Sequence, residues 1–176
     1  MMLFCADKWV RRYAFCCFSF FVVFLFSVTF AAGEGVTGPK DNPDAKERCP
    51  VCGMFVAKYP NWLTRVELAG KGVKYFDGVK DLMAFYHNPA LYGAGNASVN
   101  QVGVKDYYSL EWLDGKTAYY VVGSDVHGPM GHEFIPFSSL AAAENFSRDH
   151  KGKEILTFSE ITASLVESMR SGQKMR

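Results

Sequence analysis

Two cysteines and a methionine crowd into six consecutive positions of this chain: Cys49, Cys52 and Met54, within R-C-P-V-C-G-M-F-V at residues 48–56. A C-x-x-C turn directs both sulfurs towards one point. Pro50 stiffens its entry, and Gly53 permits a positive φ that brings the following backbone N–H groups near the sulfurs. A second segment of similar character stands far downstream, His127-Gly128-Pro129-Met130-Gly131-His132. It sets a methionine between glycines, a poor place for core packing, and flanks it with two imidazoles. Thiolate, thioether and imidazole together suit Cu(I), a soft ion content with few ligands. Cys49, Cys52, Met54, Met130 and His132 are therefore the candidate metal donors, with His127, Asp77 and Asp125 as additional ligands or supporting groups.

Two other chemistries compete for the same cysteines. An exported thiol–disulfide oxidoreductase would use Cys49 and Cys52, but such sites place the first thiol at a helix N-terminus. Here the residues after Cys52 lack a helical period and run into Pro60. A structural zinc-binding module would join C-P-x-C to the H-x₄-H pair His127 and His132. Those pairs stand much further apart than in a zinc finger, and a domain of this length needs no metal staple. Spacing leaves all three readings open. No Ser/His/Asp or paired-carboxylate arrangement shows in the spacing, so a binding protein is expected rather than an enzyme. His87 and His150 sit near helix ends, where a charged imidazole is favourable, and read as surface residues.

The compartment follows from the N-terminus. Lys8, Arg11 and Arg12 precede an uncharged, mostly apolar run at residues 13–32. That is the pattern of a secretory signal, although the run also reaches the ~20 residues that span a bilayer. Either a cleaved signal or a retained membrane anchor puts the domain outside the cytoplasm, in the periplasm, tethered to the inner membrane if the segment stays. Cys16 and Cys17 begin the apolar run rather than follow it, the wrong place for lipidation. Exported thiols meet oxidants, and a thioether resists that disulfide chemistry. The formal charge of the chain is +1; without Lys8, Arg11, Arg12 and Asp7, residues 33–176 hold 16 basic and 17 acidic side chains. No basic stripe survives there, which argues against nucleic acid as a partner.

The elements that must position these donors can be read from periodicity. Residues 33–47 are Gly, Pro and charge, a flexible tether. Residues 62–69 alternate as a strand, 70–72 turn, and 73–76 return. Asp77 leads into a helix over 79–87 that Asn88-Pro89 ends; 90–100 form a loop and 102–110 a strand. The second half follows the same order: strand 117–123, turn 128–131, strand 132–137, Ser138 as N-cap of a helix over 139–150, strand 153–158 and a closing helix over 161–169. The expected fold is α+β, two pseudo-repeated ββαβ units forming one compact domain at 48–170, with an N-terminal apolar helix and a disordered tail at 171–176. In that arrangement the two sulfur-bearing turns sit at the mouths of two related hairpins.

Residues 48–56, with Y-F-D-G-V-K-D-L at 75–82, D-Y-Y-S-L at 106–110 and G-S-D-V-H-G-P-M-G-H-E-F-I-P-F at 123–137, resemble the NosL family, accessory proteins of nitrous oxide reductase. The resemblance implies an exported copper chaperone that binds one Cu(I) per chain. It would take the ion from a copper donor and deliver it to a copper enzyme, or to that enzyme's assembly machinery. It also implies a fold of two related ββαβ units. Cys52, Met54, Met130 and His132 match positions where the family offers copper donors. The chain departs from the family in lacking a lipobox and in carrying a second cysteine, Cys49. That residue is either a fourth ligand or a redox partner that closes the site when copper is absent.

Overall fold

A computed structural model describes residues 42–172. The expected apolar segment at 1–32, the tether up to residue 41 and the tail from 173 lie outside the described residues. Among those described, no helix is long and apolar enough to cross a membrane.

β1 (Thr64–Leu68) buries alternate residues, Thr64, Val66 and Leu68, and pairs antiparallel with β2 (Gly72–Phe76). α1 (Val79–His87) follows at once and is buried from Val79 to Phe85. A helix sealed on every side can keep charged residues such as Lys80 and Asp81 only if partners meet them. It stops at Asn88, since the ring of Pro89 disfavours helical backbone before it. β3 (Val99–Lys105) and β4 (Trp112–Asp114) complete an antiparallel sheet in the order β2-β1-β3-β4. In the second half, β5 (Tyr119–Val122) lies between β8 (Ile135–Phe137) and β9 (Glu154–Thr157), all antiparallel. A small hairpin, β6 (His127–Gly128) with β7 (Gly131–His132), stands between β5 and β8 in the chain. α2 (Leu140–Asp149) connects β8 to β9, and α3 (Ala163–Arg170) closes the chain. In both main sheets the first strand is central, flanked by the second strand and by the one after the helix.

The larger core joins Val66, Phe76, Val102 and Val104 of the first sheet to Leu82, Met83 and Phe85 of α1 and Val166 of α3. A smaller one packs Val121, Ile135 and Phe137 against Ala143 and Phe146 of α2. Tyr120 is fully buried and donates its hydroxyl to Gly115 O at 2.6 Å, so its polar end is satisfied.

Several elements differ from expectation, each for a local reason. The strand expected to run to residue 110 ends at Lys105. Asp106 Oδ1 accepts the backbone N–H groups of Tyr108 and Ser109, both at 2.9 Å, and Oδ2 that of Ser138 at 2.8 Å. This side chain turns the backbone against the β preference of Tyr107 and Tyr108. Burial raises the Asp106 pKa, but the amides of Ser109, Ser138 and Tyr108 outweigh it and hold the carboxyl below its ordinary range. Ser139, not Ser138, caps α2: its hydroxyl accepts from Ala142 N at 3.2 Å. The strand expected over 132–137 is broken into β7 and β8, because Glu133 leaves the ladder and turns inward. The Cys49–Cys52 turn precedes β1, as expected, whereas the 128–131 turn lies between β5 and β8, so the two sulfur-bearing turns are not in equivalent places.

Candidate metal centre

The first turn is closed by its own backbone. Cys49 N donates to Met54 O at 2.8 Å and Gly53 N to Cys49 O at 2.9 Å. Gly53 has φ +79°, the left-handed conformation that glycine adopts without penalty. Arg48 fastens the turn from outside, donating to Gly53 O at 2.7 Å while its guanidinium lies over the Phe55 ring. The consequence is that amides point at sulfur: those of Val51 and Cys52 reach Cys49 Sγ, and that of Met54 reaches Cys52 Sγ. N–H groups aimed at sulfur favour the thiolate, the form that binds metals.

Carboxylates come from the other side. Asp77 is the last residue before the α1 N-cap and Asp81 stands in its first turn. Four residues apart, they fall on one side of the helix start. Cys49 Sγ donates to Asp81 Oδ2 at 3.4 Å, and Cys52 Sγ to Asp77 Oδ1 at 3.2 Å. One ligand atom each from Cys49, Cys52, Asp77 and Asp81 lies within 4.8 Å of the others. In a tetrahedral site with bonds of about 2.0–2.3 Å such edges measure roughly 3.3–3.8 Å, so a small contraction closes the group on an ion. Cys49, Asp77 and Asp81 are buried, with Cys52 half-buried at the open side.

Burial and the two carboxylates keep both thiols protonated. Burial raises the Cys52 thiol to about 12, and its hydrogen bonds to Asp81 and Asp77 act the same way. Burial pushes Cys49 higher still, helped by the charges of Asp81 and Asp77. Asp77 Oδ2 is buried and has no hydrogen-bond partner. An orphaned carboxylate oxygen beside two protonated thiols is the environment that a metal ion would satisfy, since a bound cation reverses the pKa logic around it. The same facts weigh against the oxidoreductase reading, which needs a depressed thiol pKa. Alkylation of the metal-free thiols is accordingly expected to be slow at pH 7–8. Its rate should keep climbing past pH 10, where an ordinary thiol of pKa about 8.5 has already levelled off. A plateau below pH 8 in an iodoacetamide pH series would restore the dithiol enzyme.

The other expected residues are distributed as follows. Met54 is half-buried and closes the sulfur turn through its backbone. Met130 is 48% exposed at the tip of the β6–β7 hairpin. His127 and His132 are directly opposite each other on that hairpin, with ring centroids 4.7 Å apart. The structure brings Asp77 into the thiol group and leaves both histidines outside it. Asp125 is elsewhere, pairing on the surface with His150 and Lys151 at 3.3 Å each. His87 Nε2 lies 2.7 Å from Ile161 O, and the His150 ring stacks on Phe146. Asp81 was missed by sequence reasoning, although its four-residue spacing from Asp77 on a helix start was visible there.

Fold and site together define a small α+β domain built around a thiol–carboxylate cluster of the kind that holds a metal ion. The chain belongs to the NosL family, whose model matches residues 40–166. It is similar to the copper-binding lipoprotein NosL of Stutzerimonas stutzeri, 26% identical over 136 residues, which cover 72% of this chain and 68% of that protein. It is also similar to the copper-binding lipoprotein NosL of Achromobacter cycloclastes, 30% identical over 128 residues, 65% of this chain and 63% of that one. Among solved structures it is similar to the copper chaperone NosL from Shewanella denitrificans, with a TM-score of 0.59, 28% identity and coverage of 69% of this chain and 93% of that one. These relatives are named as copper-binding proteins or chaperones, not as enzymes.

Proposed function

We propose that this protein is an exported metallochaperone. Its cargo is one Cu(I) ion per chain, which it passes on for maturation of a copper enzyme such as nitrous oxide reductase. The observation that carries the reading is the convergence of the Cys49 and Cys52 thiols, each held by backbone amides, on the paired carboxylates of Asp81 and Asp77, the latter with a buried, unpartnered oxygen. Copper-binding relatives support the choice of metal. Their description as lipoproteins supports a station outside the cytoplasm and tied to a membrane, with residues 13–32 as cleaved signal or inner-membrane anchor.

In this reading Cys49 and Cys52 supply thiolates, Met54 and Met130 thioethers and His132 an imidazole, a soft set that matches Cu(I). Asp77 and Asp81 stand beside the thiols, and the protonated thiols must each release a proton when metal binds. Hand-over proceeds by exchange. The open Cys52 side and the exposed Met130 let a copper-receiving partner replace the donors one at a time, and a copper donor loads the site by the reverse route.

The test is titration of the reduced protein with Cu(I) against a competing chelator, wild type beside Met130→Ala. Loss of one thioether is expected to weaken binding about tenfold or more, by comparison with the 10–100-fold cost of disturbing even the groups behind a metal ligand. Affinity should also rise with pH, because protons and metal compete for the same sulfurs. Unchanged affinity in Met130→Ala would remove that residue from the donor set. The two carboxylates favour a second reading, a zinc site, because carboxylate oxygens are harder donors than thioethers. Zn(II) that outcompetes Cu(I), and whose chelation melts the domain, would establish it instead.

A further inference from the structure

One side chain joins the β6–β7 hairpin to the start of α1, and no donor role accounts for it. Lys80 is a charged residue only 4% exposed, and it is the chain neighbour of Asp81. Its ammonium donates to Met130 O at 2.8 Å and to His132 O at 2.9 Å, carbonyls on the far hairpin. Its own backbone N–H is taken by the next residue of that segment: Lys80 N donates to Glu133 Oε1 at 2.5 Å, and the same oxygen accepts Phe134 N at 2.9 Å. So β7 and the residue after it are bonded to the first turn of α1 through both ends of one lysine, while Asp77 and Asp81 of that helix start meet the thiols. Buried ammonium is expensive unless its protons are all aimed at acceptors, which makes the geometry a demanding one.

We propose that Lys80 is a positioning residue of the copper site: by gripping the Met130 and His132 carbonyls it holds the β6–β7 hairpin against the helix turn that carries Asp81. The inference rests on the copper reading above, in which Met130 and His132 are donors. A thioether on a free two-strand hairpin would lose much of its contribution to the entropy of ordering that hairpin. Lys80 removes that loss in advance. Glu133 completes the clasp from the hairpin side; it is buried too, and it stands outside the group formed by Cys49, Cys52, Asp77 and Asp81.

The test compares Lys80→Met, which keeps the aliphatic stem and removes the ammonium, with Lys80→Arg, whose guanidinium can donate to both carbonyls. Each full-length variant is titrated with Cu(I) against the chelator, alone and combined with Met130→Ala. Lys80→Met is expected to weaken binding 10–100-fold, Lys80→Arg to retain most of the affinity, and Lys80→Met to cost clearly less once Met130 is already alanine, the remainder being the share of His132. Amide exchange of the 127–132 backbone in the metal-free protein should quicken in Lys80→Met and stay slow in Lys80→Arg. If Lys80→Met does not fold, Lys80→Gln takes its place in every comparison. Full affinity in the lysine variant while Met130→Ala is weakened overturns the clasp and leaves the copper reading standing. A loss equally large in the Met130→Ala background overturns the clasp too, as a merely structural effect. Met130→Ala with undiminished affinity overturns the clasp and removes Met130 from the donor set.

Discussion

Cys52→Ser is expected to weaken Cu(I) binding by more than about 100-fold while leaving the melting temperature of the metal-free protein almost unchanged. The first half follows from ligand chemistry. A serine hydroxyl is a hard, weakly acidic donor, and losing a direct ligand exceeds the 10–100-fold cost of disturbing the groups behind one. The second half follows from position. Cys52 is half-buried at the open side of the cluster, and a serine there still donates to Asp77 Oδ1. Cys49→Ser should separate from it. Cys49 is 2% exposed and part of the main core, so a hydroxyl there costs about 1–2 kcal/mol of stability as well as affinity. Chelator competition and thermal melts of both variants check the pair. Wild-type copper affinity in Cys52→Ser would remove the more accessible thiol from the site and with it the route for hand-over.

The second large effect is expected at a residue that touches no metal. Gly78→Ala should destabilise the domain by about 2–5 kcal/mol, lowering the melting temperature by on the order of 10 °C. Gly78 has φ 177°, extended backbone that any residue adopts, so the cost is not conformational. It is steric: a Cβ at Gly78 would collide with the Glu133 carboxylate. That carboxylate is held in place, because Lys80 N and Phe134 N both donate to it and the side chain is buried. Gly53→Ala is the control. It has the left-handed φ of +79° and nothing within 4 Å of the new Cβ, so only the backbone cost of about 1–2 kcal/mol applies. Denaturant midpoints for both variants, and for Gly78→Ala combined with Glu133→Ala, settle the mechanism. If removing the Glu133 carboxylate does not recover most of the loss at Gly78, the collision is not its cause.

Much of this molecule was legible from local rules. The helix over 79–87 has the bounds expected, because an apolar period ends at a proline whose effect on the preceding residue is local. The turn at 128–131 and the positive φ of Gly53 were likewise local. Errors came where a side chain reaches beyond its own segment. Asp106 ends β3 by capturing the amides of Tyr108, Ser109 and Ser138, and nothing in the strand-like D-Y-Y announces which acceptor will win. Glu133 fell inside the strand expected over 132–137, but it leaves the ladder, is buried and serves as the acceptor at the start of α1.

The sequence by itself determined which chemistry is available: two thiols on a C-x-x-C turn, a methionine on a glycine-flanked turn, imidazoles beside it, and the α+β order of elements around them. Those follow from residue type and short spacing, which a linear chain displays directly. Only the tertiary structure decided which groups meet the sulfurs. Asp77 and Asp81 reach Cys49 and Cys52 because the sulfur turn packs against the start of a helix some 25–32 positions away, and that pairing is set by burial of α1 on both sides. Lys80 and Glu133 acquired their parts in the same way. A buried charge must find its partner wherever the packed core leaves one, at separations of 50 residues and more, and no local period encodes that distance.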